Sequence, residues 1–386
     1  MTLRHLTSIN DLTNNEIERL FSLAEKYLAE LGDRTAHYRI GRSTDSCAGY
    51  IMATLFYEPS TRTRLSFESA MSRLGGRVIS SADPAASSAA KGETLADAAR
   101  VVSAYADIMV LRHPREGAAT FAAEYASVPV INGGDGAHEH PTQTLCDLFT
   151  IRREKGRLDS LNVALLGDLK GSRTIHSLAY GLGRFGANIV LIPAPGMDLP
   201  DRIISEIEQA YDYSPIEGVR FKGAAGAYGP RQRSSSSSHP RFDVLYLTRF
   251  QKERWHETIR DYPVVNAEFL TPKVFEQTLV LHPLPRVNEL DPDFDSDPRA
   301  GYFRQASYGV AVRMALISML LNTDHELGLE QFVTGFRDHS ADDVTASALS
   351  CSNLNCITRT EGKPRFHASA SPSALKRCAY CDHKTP

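Results

Sequence analysis

A strand that breaks into a helix at a turn crowded with hydroxyls and arginines constrains this chain more than any other feature. The stretch is Phe56-Tyr57-Glu58-Pro59-Ser60-Thr61-Arg62-Thr63-Arg64. The apolar run from Tyr50 to Tyr57 stops at Glu-Pro, and Leu65, Phe67, Ala70, Met71 and Leu74 then recur at helical spacing. The first turn of such a helix presents unbonded N–H groups and the positive end of the helix dipole. With Ser60, Thr61, Arg62 and Thr63 placed there, the turn is built to receive an anion, most naturally a phosphate. The alternative is a plain N-cap with solvated arginines, and two arginines interleaved with three hydroxyls weigh against it. The glycines and the closing Gly-Lys-Ser/Thr of a nucleotide P-loop are missing.

The same strand-to-helix pattern repeats along the chain. Asp107 to Leu111 is an apolar strand that runs into Arg112-His113-Pro114. A strand over Val128–Asn132 leads through Gly133-Gly134-Asp135-Gly136 to His138-Glu139-His140-Pro141-Thr142-Gln143 at a helix entrance, where His140 and Gln143, three apart, can face one point. Asn162 to Leu166 ends in Gly167-Asp168 before a helix that starts around Arg173, and Phe242 to Leu247 ends in Thr248-Arg249-Phe250-Gln251. The strand Leu279–Leu281 ends in His282-Pro283-Leu284-Pro285, with Leu284-Pro285 a candidate cis bond. Alternation of this kind predicts α/β architecture with two doubly wound parallel sheets. Ligands of such sheets bind beyond the strand ends, so Arg62, Arg112, Arg173 and Arg249 are expected to converge on one crevice. Four guanidiniums there require ligands with several negative charges.

Bulk composition narrows the partners. At 386 residues the chain predicts two to three domains, and a net charge of −3 gives no electrostatic footprint for nucleic acid. No apolar stretch approaches a membrane span and Met1 to Asn15 lacks a signal-like core, so a cytoplasmic address is expected. The small, polar stretch Ser80–Gly92 reads as a loop, and Lys91 at its end as a solvated surface lysine. The serine-rich stretch Ala224–Arg241 reads as a further loop. No nucleophile elbow and no cofactor fingerprint is found, which points to direct transfer between two bound anions.

The stretches FYEPSTRTRLSFESA, KGETLADAARVVSAYADIMVLRHP, GDGAHEHPTQTLCDLFTI, LLGDLKGSRTIHSLAYGLGRFG, VLYLTRFQKER and LHPLPRVNEL, in that order, resemble the aspartate carbamoyltransferase catalytic chain from about residue 2 to residue 322. Ornithine carbamoyltransferases share the Ser-Thr-Arg-Thr-Arg and His-Pro-Thr-Gln signatures, but have a cysteine where this chain has Pro283. The resemblance implies transfer of a carbamoyl group from carbamoyl phosphate to L-aspartate, an early step of pyrimidine biosynthesis, without a catalytic cofactor. It implies a carbamoyl-phosphate-binding domain over 1–148, completed by the helix near 302–322, and an aspartate-binding domain over 149–301. Ser60, Thr61, Arg62 and Thr63 would hold the phosphate, with Arg112 on phosphate and carbonyl oxygen alike. Thr63, Arg112 and His140 would polarise the carbonyl, while Gln143 and the Leu284 carbonyl hold the carbamoyl amide. Arg173, Arg249, Gln251 and Pro285 would form the aspartate side. Ser87 and Lys91 would enter the site of a neighbouring subunit, which overturns the surface reading of Lys91 and makes a homotrimer part of the site. An ornithine acceptor and a non-catalytic scaffold are the competing readings.

Six cysteines are present, and four crowd the last 36 residues: Cys351-x4-Cys356, 21 intervening residues, then Cys378-x2-Cys381. In a reduced compartment that spacing is a four-thiolate zinc arrangement. The segments CSNLNCITRTEG and KRCAYCDHK resemble the zinc domain of the family's separate regulatory chain. A small zinc-ribbon-like β domain with its linker, 323–386, is therefore expected, folded by structural zinc. The nucleotide-binding domain that precedes this module in regulatory chains has no room here, so the tail is expected to bridge or steady catalytic subunits without binding nucleotides.

Overall fold

The computed structural model describes residues 4–31, 44–83, 87–211, 215–217, 241–252, 262–271, 273–323, 343–345, 349–367 and 375–385. The serine-rich stretch up to residue 240 and most of the linker after residue 323 lie outside them. The chain divides into two compact units, one formed by 1–142 with 310–386 and the other by 143–309.

In the first unit the elements are α1 (Asn14–Leu31), β1 (Ile51–Phe56), α2 (Thr61–Arg73), β2 (Arg77–Ser81), α3 (Leu95–Ser103), β3 (Ile108–His113), α4 (Ala118–Ala123) and β4 (Val130–Asp135). The strands form one sheet in the order β2-β1-β3-β4, every neighbour parallel. Parallel central strands are covered on both faces and so read as unbroken apolar runs. That is the pattern of Ile108–Leu111 and, apart from Thr54, of Met52–Phe56, all buried. Between β1 and β3 the winding reverses direction, and the loops leaving their carboxyl ends carry residues 57–60 and 114–117.

The second unit starts within α5 (Pro141–Lys155) and continues with β5 (Asn162–Gly167), α6 (Arg173–Arg184), β6 (Asn188–Pro193), α7 (Asp201–Tyr211), β7 (Ile216–Glu217), β8 (Val244–Leu247), β9 (Leu279–Leu281) and the start of α8 (Tyr302–Leu321). Its sheet runs β7-β6-β5-β8-β9, again all parallel. Here the reversal lies between β5 and β8, whose carboxyl ends deliver Asp168 to Arg173 and Thr248 to Gln251. A core of Ala164, Leu166, Leu245, Leu247, Phe275, Val280 and Tyr302 backs that sheet.

The tail folds as two antiparallel ribbons, β10 (Asp343–Thr345) with β11 (Arg365–His367) and β12 (Lys376–Arg377) with β13 (Lys384–Thr385). It belongs to the first unit. Cys351, Cys356, Ile357, Phe366, Cys378 and Tyr380 pack in one cluster with Leu95, Met109, Leu111, Phe121 and Val130. The expectation of two parallel-sheet domains and a small β module is met.

Candidate active site and metal centre

The first turn of α2 is open. Ser60 is its N-cap with extended backbone, yet its side chain bonds none of the helix's first amides. Elsewhere the hydroxyls do cap: Thr94 accepts from Asp97 N–H at 3.1 Å, and Ser87 from Ala89 N–H at 3.3 Å. Thr61 and Arg62 are exposed and Thr63 is buried. An uncapped helix start with its polar side chains turned outward is what an anion fills.

Arg112 stands beside that turn. In the sheet it pairs with Phe56, and its carbonyl accepts from Tyr57 N–H at 2.8 Å. Its guanidinium is buried and donates to Glu58 Oε1 at 2.7 Å and to the Gly133 carbonyl at 3.1 Å. The loop after β4 is laced by Asp135, which accepts from Gly117 N–H (2.7 Å), Glu139 N–H (3.1 Å) and Asn132 Nδ2 (2.9 Å). It brings His140, buried, to the start of α5 with Thr142 Oγ1 3.4 Å from its Nδ1. Ser60, Thr61, Arg62, Thr63, Arg112 and His140 thus lie along one edge of one sheet. Ser87 and Lys91 belong to the same unit, Ser87 as the N-cap of a short 3-10 turn, Ser88–Lys91, and Lys91 as its exposed last residue.

The second unit repeats the device. Ser172 is the N-cap of α6 and again does not cap it; its hydroxyl goes to Thr174 and Thr248 at 2.9 and 3.0 Å. Arg173, buried, opens the helix. Asp168 arranges the surroundings, accepting from Gly171 N–H at 2.7 Å and from Gln251 N–H at 3.2 Å. Gln251 Nε2 turns back to the Arg249 carbonyl at 3.3 Å. Beyond β9 the Leu284-Pro285 bond is cis, as the sequence suggested. His282 holds that turn: Nδ1 accepts from Leu284 N–H at 2.8 Å and Nε2 faces Glu289 at 2.9 Å. Burial lowers the pKa of His282, so it serves as a neutral donor and acceptor. Gln143 donates to Asp147 Oδ1 at 2.7 Å, and the same buried carboxylate accepts from Gln305 Nε2 (2.6 Å) and Tyr246 OH (2.8 Å).

The four tail cysteines are all buried and unbridged, with their sulfurs within 4.8 Å of one another. Cys351 Sγ lies 3.6 Å from Cys381 Sγ, and Cys356 Sγ 3.9 Å from Cys378 Sγ. A tetrahedral S4 site with metal–sulfur bonds of about 2.3 Å has edges of about 3.8 Å, so the four thiols fit a metal. A second cluster, His138, Glu139 and Asp382, is a hydrogen-bonded network instead. His138 Nδ1 faces Asp135 at 3.0 Å and Nε2 faces Asp382 at 3.1 Å, while Glu139 accepts from Ser8 Oγ (2.6 Å) and Ile9 N–H (3.1 Å). Although burial opposes its charge, the two carboxylates hold the His138 pKa well above the ordinary value.

Comparison with known proteins agrees with this geometry. Residues 4–153 match the aspartate/ornithine carbamoyltransferase carbamoyl-P binding domain, and 159–320 the aspartate/ornithine carbamoyltransferase Asp/Orn binding domain. The aspartate carbamoyltransferase catalytic subunit of Methanopyrus kandleri is 47% identical over 323 residues, covering 82% of this chain and 97% of the relative. The chain belongs to the aspartate carbamoyltransferase family. The catalytic subunit from Archaeoglobus fulgidus is 46% identical over 324 residues, covering 83% of this chain and 99% of its own. Among solved structures, the catalytic subunit of Methanocaldococcus jannaschii aspartate transcarbamoylase superposes with TM-score 0.69 at 42% identity, over 84% of this chain and 99% of that one. Trypanosoma cruzi aspartate transcarbamoylase in complex with aspartate and phosphate gives TM-score 0.69 at 36% identity, over 81% and 95%. Residues 343–385 match a different model, the metal binding domain of the aspartate carbamoyltransferase regulatory chain.

Several residues that organise this aspartate carbamoyltransferase framework did not stand out in the sequence. Asp147 lies one helical turn after Gln143, a spacing that signals contact. Glu58 and Asp168 sit inside quoted motifs, but nothing in their spacing says which cation or amide they bind.

Proposed function

We propose that the chain transfers the carbamoyl group of carbamoyl phosphate to the amine of L-aspartate, giving N-carbamoyl-L-aspartate and phosphate, through the residues assigned below. The observation that carries the reading is the recurrence of one device at both switch points: a helix whose serine N-cap makes no side-chain bond to its amides, with an arginine at or just past the adjoining strand end. Two such anion receptacles suit a phosphate donor and a dicarboxylate acceptor.

Ser60, Thr61, Arg62 and Thr63 bind the phosphate, joined by Ser87 and Lys91 from a neighbouring subunit. Arg112, Thr63 and His140 polarise the carbonyl, and Gln143 with the Leu284 carbonyl orients the amide. Arg173, Arg249, Gln251 and Pro285, with Lys91, take the aspartate carboxylates. The amine attacks the carbamoyl carbon, negative charge develops on the carbonyl oxygen beside fixed cationic donors, and phosphate departs. Positioning and electrostatics supply the rate, and no covalent enzyme intermediate forms. The functional domains are 1–148 with the helix near 302–322, 149–301, and 323–386.

The metal of the C-terminal module is zinc, in a structural role. The module makes the chain a fusion of catalytic-chain domains with a regulatory-chain element, and higher assembly of trimers through it follows from that origin. A cytoplasmic address accords with reduced cysteines, and among the described residues no helix is long and apolar enough to cross a membrane. A colorimetric assay for carbamoyl aspartate, with ornithine as the control acceptor, tests the reading. Product with aspartate alone is expected; transfer to ornithine and not to aspartate would overturn it.

A further inference from the structure

Besides its contacts with α3 and α4, through Leu95 and Glu124, the metal module touches two segments of the first unit that lie beside residues of the phosphate half-site. The first cysteine pair reaches the segment after Arg112. Glu116 N–H donates to the Asn355 carbonyl at 3.0 Å, Ile357 N–H donates to the Glu116 carbonyl at 2.9 Å, and Asn355 Nδ2 donates to the Pro114 carbonyl at 3.1 Å. The second pair reaches the segment before His140. Asp382, next to Cys381, meets His138 Nε2 at 3.1 Å, and the other face of that imidazole meets Asp135 at 3.0 Å. Asp135 binds both segments, through Gly117 N–H and Glu139 N–H.

The backbone there is shaped for the module. At Gly117, φ 79°, a Cβ would come within 2.6 Å of the Tyr380 main chain. At Gly136, φ 52°, it would lie 2.8 Å from Asn355 Nδ2. A single metal held by Cys351, Cys356, Cys378 and Cys381 would tie the two cysteine pairs together, and its occupancy would then fix the spacing of the two segments. The catalytic-subunit relatives align to about four-fifths of this chain, and the module matches a separate chain's domain. The connection is therefore a property of this architecture.

We propose that His138 and Asp382 are positioning residues for the phosphate half-site, through which metal occupancy of the module sets the affinity for phosphate-bearing ligands. The inference rests on the function proposed above. Asp382 and Glu116 would act on Arg112 and His140 by holding the segments that carry them, with no contact to substrate. Because coupling between sites is reciprocal, a phosphate ligand must in turn tighten metal binding.

The test uses full-length protein. Asp382→Asn and His138→Gln are compared with the unaltered chain for metal content, for inorganic phosphate affinity by calorimetry, and for KM toward each substrate. Expected are one metal per chain throughout, phosphate affinity weakened about 10-fold, KM for carbamoyl phosphate raised to match, KM for aspartate within about twofold, and a double variant no worse than either single one. At equilibrium with a competing colorimetric chelator, the protein should retain more metal when carbamoyl phosphate is present. Variants that keep metal and bind phosphate normally would overturn the coupling, as would equal losses toward both substrates or chelation indifferent to carbamoyl phosphate. If the unaltered protein binds no phosphate at all, the functional reading fails, and the coupling with it.

Discussion

Arg112 donates to the carboxylate of Glu58 at 2.7 Å, so the cation at the end of β3 is held by an acid from the loop that leaves β1. A phosphate bound at the α2 turn, as proposed, would compete with that acid for the same guanidinium. Glu58→Gln is expected to tighten inorganic phosphate binding about three- to tenfold, read by calorimetry. Weaker binding would instead make Glu58 the group that aims Arg112. Arg112→Ala should lower turnover roughly 10²-fold or more, as loss of an oxyanion donor does, and near-native turnover would remove it from the mechanism.

Lys91 is exposed on its 3-10 turn, where a neighbouring subunit's site is the proposed destination. Lys91→Ala and Arg112→Ala chains are each expected to be inactive as pure trimers. Mixing them after dissociation should restore roughly a quarter of the sites, because in a cyclic trimer that fraction joins an intact Arg112 to an intact Lys91. No recovery in reassembled mixtures would show that each chain supplies its own lysine.

Asp147 gathers three donors, from Gln143, Gln305 and Tyr246. Burial of Tyr246, with the Asp147 negative charge beside it, pushes the phenol pKa well above the ordinary range, so that hydroxyl stays a donor. Asp147→Asn turns one acceptor into a donor facing donors. The expected cost is about 1–3 kcal/mol in denaturant unfolding, with a raised KM for carbamoyl phosphate as Gln143 loses its anchor. Unchanged stability and KM would mean the network repacks.

Acid should destabilise the fold through His113. Burial holds its pKa down to about 4, and its Nδ1 accepts from Arg115 N–H at 3.0 Å, an arrangement only the neutral ring permits. Unfolded, the ring protonates near the ordinary value of 6.5. The unfolded state thus binds the extra proton first, and stability present above about pH 6.5 is lost as pH falls toward 4, by roughly 3 kcal/mol in all. His113→Asn keeps an acceptor without titrating and should flatten that slope; an unchanged slope would place the acid sensitivity elsewhere.

Metal removal should be felt well beyond the tail, since the cysteines share a core with Met109, Leu111 and Phe121. Chelation, or Cys378→Ser, is expected to lower Tm by roughly 5 °C or more and to increase hydrogen exchange in α3 and α4. Loss confined to residues 343–385 would make the module an independent body. Metal analysis of the purified chain should return zinc, one per chain.

The parallel sheets were legible because buried central strands announce themselves: Ile108–Leu111 and Val163–Leu166 are continuous apolar runs. Helix starts at Thr61 and Arg173 followed from hydroxyl residues just ahead of apolar periodicity. The end of β4 was harder. Gly133-Gly134-Asp135 reads as a breaker in isolation, but pairing of Asp135 with His113 in β3 carries the strand through to Asp135. Arg112 and Arg249 were visible as cations after strands, whereas Glu58, Asp147 and Asp168 were not, because an acid's value to the site depends on which distant donors the fold brings to it. The seat of the tail was invisible for the same reason. Glu116 and Asn355 are 239 positions apart, and no local pattern relates them.

Ser60 and Ser172 sit where a cap belongs and decline to cap. On the function proposed above, the group that takes the place of each serine cap is a ligand. Carbamoyl phosphate and aspartate would be the missing terminal residues of α2 and α6, which makes the resting enzyme a protein slightly under-built and its melting temperature a gauge of how well fed it is.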